Sequence, residues 1–183
     1  MSFATTAIAA ACTAQTMLAS PLGPLLLART HIGLAGVWFM RQKDHPGDLA
    51  APTQPDDPLL RRAEAQLQRY FAGAKDGFDL PLDLLGTPFQ RAVWQALLRI
   101  PIGQTKSYGA IAREVGTAQA VRAVGAAVGK NPLGVIVPCH RVIGSNGALT
   151  GYAAGLERKT ALLELEGARF NKASAALPFE CAA

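Results

Sequence analysis

The sequence predicts an α/β protein whose two unequal parts divide near Gly86. Apolar runs broken by Gly and Pro turns occupy the first forty residues, whereas helical patterns dominate after Gly86. The charge changes at the same place, from seven Lys/Arg and eight Asp/Glu in residues 1–85 to eleven and five in residues 86–183. With 50% hydrophobic residues in 183, the chain can bury a full core. We therefore predict an N-terminal α/β domain, 1–85, and a mostly helical C-terminal domain, 86–183.

The first forty residues predict strands joined by tight turns. An apolar and Thr-rich run precedes the turn at residues 20–23, and the apolar segments 24–28 and 34–39 lie on either side of Gly33. This pattern is typical of a β-meander or hairpin.

One helix completes the first half. Residues 41–57 are rich in Pro and Asp, which predicts an exposed loop. Asp57 is a suitable N-cap and Pro58 a suitable first helical residue, and the amphipathic pattern that follows, with Tyr70 on its apolar side, closes at Gly73. Alternating apolar residues in 78–83 predict a short edge strand or an extended linker.

The second half begins and ends with a helix. Thr87 and Gln90 have the spacing of a capping box, and the apolar stripe behind them stops before Pro101. The last helix covers Leu156 to Glu166, with Gly167 after it.

Between them lies the pattern of a helix-turn-helix. Ser107 can cap a helix from Tyr108 to Val115, Gly116 makes the turn, and a second helix is predicted from Thr117 to about Val128. Small residues and the single long cation Arg122 make one side of that helix flat, as close approach to DNA requires. Close packing against protein is the alternative explanation for the small residues.

Basic residues concentrate between residues 86 and 156. Seven cations there face one carboxylate, Glu114; the cations are Arg91, Arg99, Lys106, Arg113, Arg122, Lys130 and Arg141. A stripe of this kind fits a polyanion, most simply nucleic acid, although charge alone does not distinguish it from a basic surface without a partner.

Other classes of protein are disfavoured. The first 28 residues carry no charge, but they lack a basic start and are interrupted by Pro21, Gly23 and Pro24, so neither a signal peptide nor a membrane anchor is expected. Cys12, Cys139 and Cys181 cannot all pair, and their spacing matches no metal site. We expect no metal and no cofactor, and a cytoplasmic location, where thiols stay reduced.

The chemistry points to residues 136–143, where Cys139 and His140 stand side by side between apolar runs. A thiol near pH 7 is only slightly ionised, so a nucleophilic Cys139 needs a base, and His140 could act through a water. Glu166 is the candidate to fix the imidazole tautomer. The alternatives are a structural buried cysteine and a solvated carboxylate at a helix end.

The motifs that include Cys139 resemble the O6-alkylguanine-DNA alkyltransferase family. The resemblance runs from about Thr87 to Gly167, and its motifs in chain order are Arg122-Ala123-Val124-Gly125, Asn131-Pro132, Pro138-Cys139-His140-Arg141-Val142 and Gly151-Tyr152-Ala153. It implies a ribonuclease H-like N-terminal domain and a C-terminal domain that carries the helix-turn-helix and the thiol. It also implies repair of O6-alkylguanine in double-stranded DNA by irreversible transfer of the alkyl group to Cys139, with the damaged base flipped out of the duplex.

The resemblance assigns roles residue by residue. Cys139 accepts the alkyl group, His140 is its base through water, Glu166 orients His140, and Asn131 braces the turn. Arg122 fills the space left by the flipped nucleotide, Tyr108 displaces the backbone phosphate, and Thr117 and Ser145 contact phosphates. The base pocket is formed by the carbonyls of Cys139 and Val142, the Tyr152 hydroxyl and the Ala153 amide, with Ala154 on the rim.

The chain departs from the family at Ala154, where relatives usually have a second glycine, which predicts a tighter rim. It also lacks the ligands of a zinc site and the separate cysteine-rich domain of some relatives. A DNA repair protein that acts alone, as a monomer and away from membranes, is therefore expected. Whether O4-alkylthymine is also repaired stays open.

Two other functions remain as alternatives. A non-enzymatic DNA-binding protein, either a regulator or an alkyltransferase-like lesion sensor, would not need Cys139, and the sensors usually have Trp there. A cysteine hydrolase would use Cys139 and His140 but would leave the basic stripe unexplained.

Overall fold

The computed structural model describes residues 3–172; residues 173–183, with Cys181, lie outside the described residues. The elements in chain order are α1 (Phe3–Ala11), β1 (Ala14–Leu18), β2 (Leu25–Arg29), β3 (Leu34–Phe39), α2 (Pro58–Phe71), α3 (Pro88–Leu98), β4 (Lys106–Ser107), α4 (Tyr108–Glu114), α5 (Val121–Gly129), a 3₁₀ turn (Cys139–Arg141), β5 (Val142–Ile143) and α6 (Leu156–Glu166). The predicted α/β first half and mostly helical second half are confirmed. Within residues 3–172, no helix has the length and apolar content needed to cross a bilayer.

The N-terminal part is an antiparallel sheet with a helix on each face. Strands β1, β2 and β3 pair in that order, with a register shift at Ala28/Arg29. Helix α2 packs one side with Leu60, Leu67 and Tyr70 buried. The predicted strands at residues 24–28 and 34–39 are confirmed.

The prediction of β structure at the N-terminus is wrong for residues 3–11, which form α1. Five of these nine residues are alanine, the strongest helix former, and this outweighs the β preference of the two threonines. Ile8 then packs on the outer face of the sheet with Trp38 and Leu26. This burial gives the short helix the tertiary support that it needs.

Local capping signals explain where α2 and α3 begin. The Asp57 carboxylate accepts hydrogen bonds from the amides of Leu59 and Leu60, both at 3.0 Å. Thr87 and Gln90 form a reciprocal capping box at the start of α3, as the sequence predicts. Segment 78–83 is extended, and Leu82 bridges to Leu34 of β3.

The helix-turn-helix is present, but its second helix begins later than predicted. The chain stays in a turn through residues 117–120, where the Thr117 amide donates to the Ala112 carbonyl at 2.8 Å and the Ala120 amide to the Thr117 carbonyl at 2.7 Å. Helix α5 therefore starts at Val121 rather than Thr117. Val124 and Val128 are buried as expected, whereas Val121 is 38% exposed.

The sheet also positions the segment that carries the thiol. Val37 of β3 receives a hydrogen bond from the Gly134 amide at 2.9 Å and donates one to the Pro132 carbonyl at 2.8 Å. On the other side of the turn, β5 pairs in parallel with β4. Cys139 is thus fixed between the N-terminal sheet and the entry to the helix-turn-helix.

Candidate active site

Asn131 braces the turn that carries Cys139. Its side-chain amide donates to the Val137 carbonyl at 2.8 Å and lies 3.1 Å from the Cys139 sulfur, while its carbonyl oxygen accepts from the Leu133 amide at 3.0 Å. Asn131 is buried, so these bonds do not compete with water. The Asn131 amide therefore fixes the position of both the loop and the Cys139 sulfur on that loop.

Cys139 is a buried thiol at the edge of a cavity. It is 7% exposed, and burial raises its pKa, an effect only partly offset by the hydrogen bond from Asn131 and the charge of Lys159. The sulfur therefore rests as a neutral thiol, which has low nucleophilicity. Reaction requires a base at the moment of attack.

Behind Cys139 lies a buried network centred on Glu166. Its Oε1 atom is 2.8 Å from His140 Nε2 and accepts from the Tyr70 hydroxyl at 2.7 Å and from Arg141 Nη2 at 2.9 Å. Its Oε2 atom accepts from Arg141 Nε at 2.8 Å. Burial alone would raise the pKa of Glu166, but the hydrogen bonds from His140, Arg141 and Tyr70 outweigh it and hold that pKa below its ordinary range.

His140 is a buried imidazole with one ring nitrogen held by Glu166. It is completely buried, and burial lowers its pKa more than Glu166 raises it, so the ring rests neutral. Because Glu166 is ionised, Nε2 carries the ring proton and donates it to the carboxylate. Nδ1 is then a free acceptor, and this buried atom has no hydrogen-bond partner among the described residues.

Lys159 is a buried cation that the sequence analysis did not identify. Its ammonium donates to the carbonyls of Val142 at 2.6 Å and Thr150 at 2.8 Å, and lies 3.5 Å from that of Gly151. Burial lowers the pKa of Lys159 to about 8. The Val142 carbonyl, which is predicted to accept a hydrogen bond from the guanine amine, already accepts one from Lys159.

In front of Cys139 lies a cavity of about 680 Å³, within the range of small-molecule sites. Its lining includes Tyr108, Arg122, Gly125, Asn131, Cys139, Tyr152, Ala153 and Ala154. Burial raises the pKa of Tyr152, and the neighbouring Cys139 raises it further, so this hydroxyl keeps its proton. The cavity therefore contains a sulfur and a hydroxyl donor within one concave wall.

The cavity opens beside the helix-turn-helix. Arg122 is exposed on α5 and Tyr108 begins α4, so the structure brings both to the cavity that contains Cys139. Thr117 and Ser145 are not among the residues that line it; the Thr117 hydroxyl oxygen is buried without a partner in the described part of the chain, and Ser145 is exposed.

The basic stripe is smaller than the sequence indicates. Arg141 is 6% exposed and bound to Glu166, so its inclusion was wrong. Arg99 and Lys106 both pair with Glu114, at 2.8 Å and 2.7 Å. Arg91, Arg113, Arg122 and Lys130 are exposed and form no ion pair within the described residues, whereas Arg99 is exposed but paired.

Sequence reasoning identified Cys139, His140, Asn131 and Glu166 but missed Tyr70, Lys159 and the role of Arg141. Arg141 directly follows His140, and this spacing could have indicated that the cation binds the same carboxylate as the histidine. Tyr70 is 96 residues from Glu166 in sequence, and its position in an ordinary apolar stripe gave no signal.

Two family models match the chain. The 6-O-methylguanine DNA methyltransferase ribonuclease-like domain matches residues 14–84, and the DNA-binding domain of the same family matches residues 88–168. Together they cover most of the chain and both of its halves.

Known proteins are similar over most of their length. The methylated-DNA–protein-cysteine methyltransferase of Mycobacterium tuberculosis is 51% identical over 150 residues, which cover 82% of this chain and 90% of that protein. The enzyme of the same name from Methanosarcina acetivorans is 49% identical and covers 81% and 94%. The crystal structure of Mycobacterium tuberculosis OGT in complex with DNA matches with a TM-score of 0.77 at 47% identity, covering 85% of this chain and 93% of that one.

Proposed function

The chain belongs to the 6-O-methylguanine DNA methyltransferase family, and we propose that it repairs O6-alkylguanine in double-stranded DNA by moving the alkyl group once, and irreversibly, onto Cys139. Its activity is that of a methylated-DNA–protein-cysteine methyltransferase, and its partner is DNA. The observation that carries the assignment of Cys139 is the pairing of a cavity-lining thiol with a buried His140–Glu166 pair directly behind it.

The proposed reaction begins with removal of the thiol proton. A water between the sulfur and the free Nδ1 of His140 takes the Cys139 proton as Nδ1 accepts one. The imidazolium that forms is stabilised by Glu166, which is already ionised and 2.8 Å away. Charge separation inside the protein is thereby kept small.

The thiolate then attacks the alkyl carbon. The new S–C bond forms as the C–O6 bond breaks, and the bonding electrons move onto O6 of guanine. Hydrogen bonds from the Tyr152 hydroxyl to a ring nitrogen and from the Ala153 amide to O6 stabilise the charge on the departing guanine. The proton that His140 took from Cys139 returns through water to neutralise the guanine. The thioether product has no easy route back, so each molecule acts once.

The target base must leave the duplex to reach this cavity, because O6 is buried in stacked DNA. Exposed Arg122 beside the cavity supports a role in filling the vacated space, and Tyr108 a role in moving the phosphate. Thr117 and Ser145 remain proposed phosphate contacts. We also propose that the protein works as a cytoplasmic monomer, with Cys139 kept reduced.

A mass measurement tests the proposal. After incubation with excess duplex containing O6-methylguanine, the intact protein should gain one methyl group, located on Cys139 by peptide mapping, and should then stop. Cys139→Ser should gain none, while Cys12→Ser, which removes another buried thiol, should react normally. Continued turnover, or methylation of another residue, would contradict it.

The lesion-sensor alternative predicts tight binding with no mass change. The hydrolase alternative predicts turnover of an ester or amide without DNA. The same protein sample distinguishes all three functions.

A further inference from the structure

Tyr70 connects the N-terminal domain to the chemistry of Cys139. It lies near the end of α2, and its hydroxyl is 2.7 Å from Glu166 Oε1, although the two residues are 96 positions apart. Tyr70 is 4% exposed and Glu166 3% exposed, so no bulk water competes for this bond. The contact joins the two halves of the molecule at one carboxylate oxygen.

The hydroxyl is a permanent donor. Burial raises the pKa of Tyr70, and the charge of Glu166 raises it further, so the proton stays on the phenol. The ring is held in edge contact with Phe71 and in tilted contact with Phe78, at centroid distances of 5.5 Å and 5.4 Å. Packing therefore fixes where the hydroxyl points.

Tyr70 and His140 share the same acceptor atom. The Oε1 atom of Glu166 accepts hydrogen bonds from the Tyr70 hydroxyl, His140 Nε2 and Arg141 Nη2. The Oε2 atom accepts one from Arg141 Nε and lies 3.4 Å from the Gly103 amide. Each donor withdraws electron density from the carboxylate, so each weakens the attraction that the others experience. A hydrogen bond to a buried charge is among the stronger ones in proteins.

We propose that Tyr70 is a positioning residue of the alkyl-transfer site, which aligns Glu166 and moderates how strongly that carboxylate holds a protonated His140. This inference rests on the proposed function, since it assumes that His140 takes the Cys139 proton. Tyr70 contacts neither DNA nor sulfur in this scheme. It acts through Glu166 alone.

The direction of the effect follows from the groups around His140. Glu166 and Lys159 come from α6, Cys139 and Arg141 from its own turn, and Tyr70 from α2 through Glu166. Helix α3 also packs on this turn, but its one charged residue, Arg91, is exposed. With the hydroxyl removed, Glu166 attracts the imidazolium more strongly, and the pKa of His140 rises. His140 then binds a proton at a higher pH and ceases to act as a base there.

The test is the pH dependence of methyl transfer in Tyr70→Phe. The acid limb of the rate profile should move to higher pH, which makes transfer about threefold to tenfold slower on that limb while the plateau changes less. Free O6-methylguanine is used as the substrate beside the duplex, so that the pH dependence of DNA binding does not contribute. A Tyr70→Phe profile that coincides with that of the natural protein overturns the proposal.

Phe78→Leu is the matched control, because it loosens the packing around the same ring and leaves the hydroxyl in place. It should lower the melting temperature without moving the acid limb. An equal shift in Phe78→Leu would mean that Tyr70 acts only through packing, and the proposal would fail.

A titration of the histidines by NMR gives a direct reading. The chain has three, and His45, in edge contact with Trp38 on the N-terminal sheet, is an internal reference. In Tyr70→Phe the His140 signal should titrate at higher pH while the titration of His45 stays unchanged; an unmoved His140 overturns the inference even if rates change. If the natural protein gains no methyl group at all, the proposed function fails instead.

Discussion

The two sides of the Cys139 turn are built on opposite principles. Behind it, Glu166 is buried and its oxygens accept hydrogen bonds from three other side chains. In front of it, the cavity meets exposed Arg122, and in the nearby helix-turn-helix the buried Thr117 hydroxyl has no partner within residues 3–172. A low dielectric strengthens the hydrogen bonds to Glu166 and makes them hold its neighbours in place, whereas exposed cations stay hydrated until a partner displaces the water. The chemistry is thus assembled before DNA arrives, and the recognition surface is completed by DNA.

Removing the charge of Glu166, at the centre of the buried network behind Cys139, should have the largest effect on stability and on transfer rate. Glu166→Gln leaves the Arg141 cation buried without a counter-charge, and His140 without the carboxylate that stabilises its protonated form. Breaking a buried pair in this way costs about 3–5 kcal/mol of unfolding free energy, and the loss of an oriented base slows transfer by about a hundredfold or more. Urea denaturation and single-turnover kinetics measure the two effects separately.

The matched control is Glu164→Gln on the same helix. Glu164 pairs with Lys172 at an exposed position, so its loss should change stability by less than about 1 kcal/mol. If Glu166→Gln changed stability as little as this control, the network around Glu166 would not hold the Cys139 turn rigidly.

The stability of the natural protein and that of Glu166→Gln should differ in their dependence on acid pH. Because the pKa of folded Glu166 lies below its ordinary value of 4.5, its stabilisation is complete above that pH and disappears as the pH falls below it. The natural protein should lose stability steeply in that range, and Glu166→Gln should lose less. Buried His140, whose pKa lies below the ordinary 6.5, adds a loss that begins as the pH falls below that value.

The sequence predicted the parts of the fold that depend on neighbouring residues. Asp57 and Thr87 cap their helices as their spacing indicates, because a capping bond spans only three residues. Helix α1 was mistaken for a strand, since its Ala-rich run depends on burial of Ile8 against the sheet. Whether a segment of this kind forms a helix or a strand depends on long-range contacts, which cannot be read from the order of neighbouring residues.

The active site divides in the same way. Cys139 and His140 are adjacent in the chain, so their pairing could be read from the sequence. Glu166 was proposed as the carboxylate in the helix that follows, and the family resemblance gave it the same role. Tyr70 and Lys159 could not be found in this way. Their polar atoms reach the site only because the fold brings α2 and α6 together around the turn.

On the front side, truncating Arg122 should have a smaller and more selective effect. Arg122→Ala should slow repair in duplex DNA by about tenfold to a hundredfold, since unstacking a base costs a few kcal/mol and a filling side chain offsets part of it. Reaction with free O6-methylguanine should be nearly unchanged, because that substrate needs no flipping. The ratio of the two rates is the measurement.

Arg91→Ala removes the same charge from an exposed site on α3 outside the cavity lining, and should leave that ratio unchanged. Equal losses with both substrates in Arg122→Ala would indicate a damaged fold. Equal ratios in the two variants would mean that charge alone, and not the place of Arg122, governs duplex repair.

The smallest expected effect concerns the boundary between the two sides, at Ala154. This residue is 6% exposed and lines the cavity, and the family resemblance predicts a glycine at this position. The rim cannot easily yield, because Arg158 Nη1 donates to the Ala154 carbonyl at 2.9 Å and the Lys43 amide to the Ala153 carbonyl at 2.9 Å. A methyl adduct extends little beyond O6, whereas a benzyl adduct needs a flat slot and would overpack a fixed wall. Ala154→Gly should therefore raise the ratio of benzyl to methyl repair rates several-fold and leave methyl repair nearly unchanged. A ratio that stays constant would mean that the Ala154 methyl group points away from the substituent.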